Sequence, residues 1–164
     1  MEREIHAPSN GLKAVDTLQK VLTEIGWKPQ RDEETAGFVV DFDPPYIPVS
    51  TAFAAISLEL EQFMFFVNFG VTASPEQRDA VCRFITRANW RLTVGNFEMD
   101  HDDGHVRVKS SVDFRGVELS EALIRNAIRA AMNAVEVYAD SLIEVLAHGK
   151  DAEQAIKEAQ RKRS

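Results

Sequence analysis

Leu12, Val15, Leu18, Leu22 and Ile25 recur at helical spacing, with Lys13, Asp16, Lys20 and Glu24 on the opposite side, the pattern of an amphipathic helix. Asn10 stands where it can cap this helix and Gly26 where it can end it. The period then shortens. Phe38 to Phe42 reads as an apolar strand after the charged run Arg31 to Glu34, and Pro44, Pro45 and Pro48 turn the next stretch into an ordered, extended loop. Ala54, Ile56, Leu58 and Leu60 alternate with Ser57, Glu59 and Glu61, which predicts a strand with one wet face. In QFMFFVNFGV, Phe63, Phe65, Val67 and Phe69 fall on one side, with Met64 and Phe66 on the other. A strand apolar on both faces belongs in the middle of a sheet, with its second face covered.

Ser74, Pro75 and Gln77 form a capping-box start for a second helix running to about Asn89, whose stripe is Val81, Phe84, Ile85 and Ala88 with Cys82 at its edge. Leu92 and Val94, then Phe97 and Met99, read as a strand whose parity switches at a bulge near Gly95. Val106, Val108, Ser110, Val112 and Phe114 keep strict alternation up to Gly116. Leu119 to His148 carries the longest helical stripe (Leu123, Ile124, Ile128, Ala131, Val135, Tyr138, Leu142, Leu146), closed by Gly149. Asp151 and Gln154 make a capping box for a short last helix, and its end, QRKRS, reads as frayed. No repeat or linker divides the chain, so residues 1–164 are expected to form one domain.

Composition narrows the function classes. A formal charge of −7 disfavours a generic nucleic-acid binder, which needs a concentrated basic surface, and no apolar stretch is long enough for a membrane span. One cysteine cannot form an internal disulfide, which favours the cytoplasm.

The densest chemistry is MDHDDGH, Met99 to His105. As a calcium loop it fails: with Gly104 sixth, Met99 stands first, His101 third and Ser110 twelfth. Zinc would need about four converging ligands, and the only cysteine lies elsewhere. Asp103-Gly104 between two alternating strands instead predicts a two-residue type I′ hairpin. The sequence has no phosphate loop, nucleophile elbow, His-Glu-x-x-His or Cys-x-x-Cys motif. His6, His148, the Glu59/Glu61 pair and the basic tail Arg161 to Arg163 all have ordinary structural explanations. The expected catalytic, cofactor and metal residues are therefore none.

What is left over is apolar. Val39, Met64, Phe66 and Trp90 are unaccounted for if helices cover only one sheet face, and such a surplus marks an association surface. The other reading is that the long helix covers that face within the same chain.

Asn89-Trp90, Val94-Gly95-x-Phe97, the acidic turn ending at Gly104, the following strand and the long helix closing in GKDAEQAIKE resemble the YbjN-like family, also called bacterial sensory transduction regulator. With FMFFVNFGVTASPEQRDAVCRFITRAN upstream, the resemblance runs from Gly37 to Ala159. It implies a type III secretion chaperone-like α+β fold, an antiparallel sheet of about five strands with packed helices in the order α-βββ-α-ββ-α, to which this chain adds a short C-terminal helix. It also implies a homodimer and a polypeptide partner in place of catalysis. The reading that follows is a non-enzymatic, protein-binding, chaperone-like regulator. A second class is a small-ligand or metal-responsive regulator using Pro44, Pro45, Tyr46 and the Asp100 to His105 turn.

Overall fold

Ser9, one residue ahead of Asn10, starts the first helix: its hydroxyl accepts the Leu12 N–H at 3.3 Å. The Asn10 amide instead donates across the molecule to the Val117 carbonyl, 3.0 Å. In the computed structural model, which describes residues 9–42 and 48–161, the elements are α1 (Asn10–Glu24), β1 (Gln30–Arg31), β2 (Gly37–Asp41), β3 (Val49–Ser57), β4 (Gln62–Thr72), α2 (Arg78–Asn89), β5 (Asn96–Met99), β6 (His105–Asp113), α3 (Glu121–His148) and α4 (Ala152–Arg161). The strands form one antiparallel sheet in the order β1-β2-β3-β4-β6-β5. The sixth strand relative to expectation is β1, two residues long and too polar to announce itself. The expected loop through Pro44, Pro45 and Tyr46 lies largely outside the described residues, as does the basic end beyond Arg161.

The strands are shorter than their apolar patterns. β3 stops at Ser57, because 58–61 form a turn with Glu61 at φ +50°. Leu58 and Leu60 are consequently exposed, and Glu59 and Glu61 are turn residues and no longer a pair on one strand. Leu92 and Val94 likewise precede β5, so Gly95, at φ +78°, lies just ahead of the strand and makes no bulge within it. Leu12 and Leu123 sit at the margins of their helical stripes and are exposed.

Inside, the alternation holds. Phe63, Phe65, Val67 and Phe69 of β4 are buried, and the register places Ala54 and Ser110 beside Phe65, and Ala52 and Val108 beside Val67. The buried faces of α1, α2, α3 and α4 join these residues in one core. Tyr138 of α3 meets Phe84 of α2 and Phe97 of β5 edge-on, with ring centroids 6.4 and 6.1 Å away. Ser120 caps α3, and buried Leu119 and Ile124 flank that cap at the positions of a hydrophobic staple. The Ser74–Gln77 box survives as a reciprocal turn, Gln77 Oε1 accepting the Ser74 N–H at 2.9 Å, with regular helix starting at Arg78. Only half of the Asp151 box forms. Asp151 accepts from the Glu153 and Gln154 N–H groups, while the Gln154 side chain donates to Glu158.

The acidic hairpin is a four-residue loop and not the two-residue type I′ turn. Asp100 N–H donates to the His105 carbonyl at 2.9 Å, and Gly104 N–H to the Asp100 carbonyl at 2.8 Å. Asp103 keeps a negative φ, since among the described non-glycine residues only Glu61 has a positive one. Type I′ needs positive φ at both central positions, and here Gly104 alone supplies it, at +79°. Its carbonyl accepts the Ala73 N–H at 2.8 Å. A Cβ on Gly104 would lie 2.0 Å from the Ala73 oxygen, so the approach of these two backbones requires glycine.

The β5 edge is closed by a side chain. Asn89, at the end of α2, accepts the Phe97 N–H at 2.8 Å and donates to the Phe97 carbonyl at 3.0 Å. One amide thus imitates the neighbouring strand that an edge lacks.

Two stability measurements test these contacts. Gly104→Ala should lose roughly 3 kcal/mol or more in urea denaturation, from the αL penalty plus the forced separation from Ala73. Gly116→Ala, at φ +78° with open space around the new Cβ, should lose only about 1 kcal/mol. Equal losses would mean that the Ala73 contact is not limiting. Asn89→Ala leaves both Phe97 backbone groups without this partner and should cost about 1–3 kcal/mol. It should also make light scattering concentration-dependent as β5 edges pair. An unchanged midpoint with monodisperse protein would refute the edge-closing role.

Candidate functional site

Because the four helices among the described residues join the core on one side, the even-numbered side chains of β4 emerge on the face of the sheet that none of these helices covers. Met64 and Phe66 are half-buried there, whereas their odd-numbered neighbours are buried. The register extends the row: Gln30, Val39, Phe53, Phe66, Lys109 and Asn96 lie side by side across all six strands. Of the two readings open for the apolar surplus, α3 does not cover this face. Its buried side chains pack in the core with Phe63, Phe65 and Val67.

The row is built by aromatic packing across strands. Phe53 and Phe66 stack with centroids 6.5 Å apart and planes 19° apart. On the other side of Phe66 the Arg107 guanidinium lies 4.3 Å from the ring centroid, a cation–π contact of about 1 kcal/mol at a partly exposed site. The Phe53 ring lies across Gly37, where a Cβ would come within 2.7 Å of its tip. Any side chain at position 37 would push the ring out of its place.

Charges hold the margin. Glu98 of β5 accepts from Arg107 at 2.9 Å and pairs with Lys109. Burial by itself raises the Glu98 carboxyl, but hydrogen bonds from Lys109, Arg107 and Asn96 outweigh it, and the group titrates below the ordinary glutamate range. At the far end of β6 the Arg115 guanidinium and backbone N–H hold the Asp113 carboxyl down to about 2. Neither carboxylate is poised to take or give a proton near neutral pH.

Of the four residues expected to form an interaction surface, three are together: Val39 and Phe66 share the row, and Met64 lies beside it, paired with Ala55 and Ser111. Trp90 is elsewhere. It follows α2, 89 % exposed, beside a groove against α4. Phe53 and Arg107 were missed by sequence reasoning. The signal for Phe53 was there, an aromatic at an odd position of a strand whose even positions face inward. Nothing in the sequence places Arg107 over Phe66.

The acidic turn borders a cavity of about 330 Å³ lined by Glu98, Met99, Asp100, Asp103, His105 and Arg107. Its carboxylates serve the turn itself, Asp100 accepting the Asp102 N–H at 2.9 Å and Asp103 the His105 N–H at 2.7 Å. Among the described residues no group of three or more His, Cys, Asp or Glu side chains could hold a metal ion, and no helix is long and apolar enough to cross a membrane. Pro44, Pro45 and Tyr46, the other wall expected for a ligand pocket, lie outside the described residues.

The fold that carries these residues is shared with solved structures. "YbjN, a putative transcription regulator from E. coli" aligns with a TM-score of 0.58 and 13 % identity, covering 82 % of this chain and 92 % of that one. A chain of the ExsC–ExsE complex aligns at 0.53 and 14 %, covering 80 % and 94 %. The fold is thus α+β and type III secretion chaperone-like, as the resemblance implied. No curated sequence matches the chain. The family model described as "Putative bacterial sensory transduction regulator" matches residues 14–144, a span that begins earlier than the resemblance from Gly37 and stops short of α4. Since that span takes in most of α1, the whole sheet, α2 and most of α3, the chain belongs to the YbjN family.

Proposed function

We propose that this protein is a non-enzymatic, cytoplasmic regulator that works by binding a polypeptide on the helix-free face of its sheet. The observation that carries this reading is the stacked row Val39, Phe53 and Phe66, left half-exposed on the side that the helices do not occupy. Apolar side chains in contact across three neighbouring strands make a continuous patch, the usual mark of a protein-binding surface. The clamp of Asn89 on β5 supports face docking over the addition of a strand at that edge. That a structural relative was solved within the ExsC–ExsE complex is consistent with a protein partner. The single cysteine, Cys82, and its half-buried position suit a reducing compartment.

The test begins with affinity capture from native lysate using wild type and Phe66→Asp, followed by calorimetry with the purified captured protein. Phe66 is half-buried outside the core, so Phe66→Asp should keep the wild-type circular dichroism spectrum while weakening binding by at least about 10-fold. Phe53→Ser provides a second variant on the same patch. Equal affinity for folded variants and wild type would sink the proposal. So would a wild-type dimer that Phe66→Asp converts to monomer with no partner captured, since the face would then serve self-association.

A further inference from the structure

Trp90 is the most exposed large hydrophobic side chain among the described residues, at 89 %. The helix end does not need its ring. At the end of α2 only the Trp90 backbone takes part, its N–H donating to the Thr86 carbonyl at 3.1 Å, and any residue but proline could supply that. The ring instead borders a groove of about 340 Å³ between the end of α2 and the face of α4. Ile156 contributes an apolar side chain to its lining, with Arg87 and Arg91 from the α2 side and Lys157 from α4.

The charge of this groove runs against that of the chain. The whole sequence carries −7, yet three cations line the groove against one carboxylate. That carboxylate, Glu153, is shared between Arg87 at 3.2 Å and Lys157 at 2.7 Å. The Arg91 side chain is exposed and its guanidinium makes no ion pair or hydrogen bond among the described residues. We infer that this groove is a second binding site, for an acidic polypeptide segment that places an apolar or aromatic side chain against Trp90 and Ile156 and a carboxylate on Arg91. The volume suits one or two side chains at the lower limit of ligand cavities. A nucleic-acid backbone would call for a longer basic track than these cations provide. The groove lies on the helical side of the sheet, so it goes beyond the proposal for the opposite face and does not depend on it.

Fluorescence anisotropy tests the site with a labelled 12-residue peptide, alternating Glu and Asp around a central Phe-Leu, against the same peptide with Lys at every acidic position. The acidic peptide should bind saturably to the full chain. Trp90→Ala and Arg91→Glu should each weaken it by about 10-fold or more, whereas Phe66→Asp should leave it unchanged. The affinity should fall several-fold between low and high salt, as expected for charge-guided binding. In a Trp27→Phe background Trp90 is the sole indole, and its emission should shift to the blue on binding. No saturable binding, equal binding of the Lys peptide, or indifference to Arg91→Glu would overturn the inference. Binding only to phosphatidylglycerol vesicles would also overturn it, in favour of a lipid surface.

Discussion

A strand alternates its side chains between two faces, and the helices among the described residues pack on only one of them. β4 is central, bonded to β3 and β6 along most of its length, so whatever it carries on either side cannot be moved to an edge. Its inner residues Phe63, Phe65, Val67 and Phe69 gather the helices, each buried side chain worth roughly 1.5–3 kcal/mol relative to exposure. Its outer residues Met64 and Phe66 are then bound by the same register to stand opposite Ala55 and Phe53. The face that builds the core and the face left half-exposed are two consequences of one periodicity.

The sequence made this division legible where period and length agreed. The two-faced pattern of β4, the strict parity of β6 and the long stripe of α3 led directly to the observed elements. Legibility failed where local backbone chemistry overrode the pattern. Leu58, Leu60, Leu92 and Val94 continue an alternation without being in strands, because alternation says nothing of where a ladder loses its partner. The hairpin was placed correctly, but its type was not, since the contact between Gly104 and Ala73 is tertiary and leaves no mark in the local sequence. Trp90 was grouped with the sheet surplus on composition alone, whereas the break of α2 carries it to another side of the molecule.

Asn89 and Trp90 are adjacent and have opposite fates. The first turns inward to the backbone of Phe97, and the second is left in water. The Asn89 clamp joins the end of α2 to the short strand β5, whose Phe97 touches Tyr138 of α3. This ties helix, edge strand and core into one unit, and Asn89 and Phe97, residues from two of the motifs that carry the family resemblance, are joined directly by two hydrogen bonds. The same connection fixes where α2 ends, and so where the Trp90 ring is presented against α4.

The packing around Phe66 also bears on how recognition would proceed in time. Its ring is held between Phe53 and Arg107, Arg107 is held by Glu98, and Phe53 is settled into the space that Gly37 leaves. Few rotamers remain to be frozen when something is laid on this surface, so the entropy of ordering it has already been spent in folding. Encounter on such a surface resembles contact with a finished template, where selection among candidates rests on shape and on how long each stays.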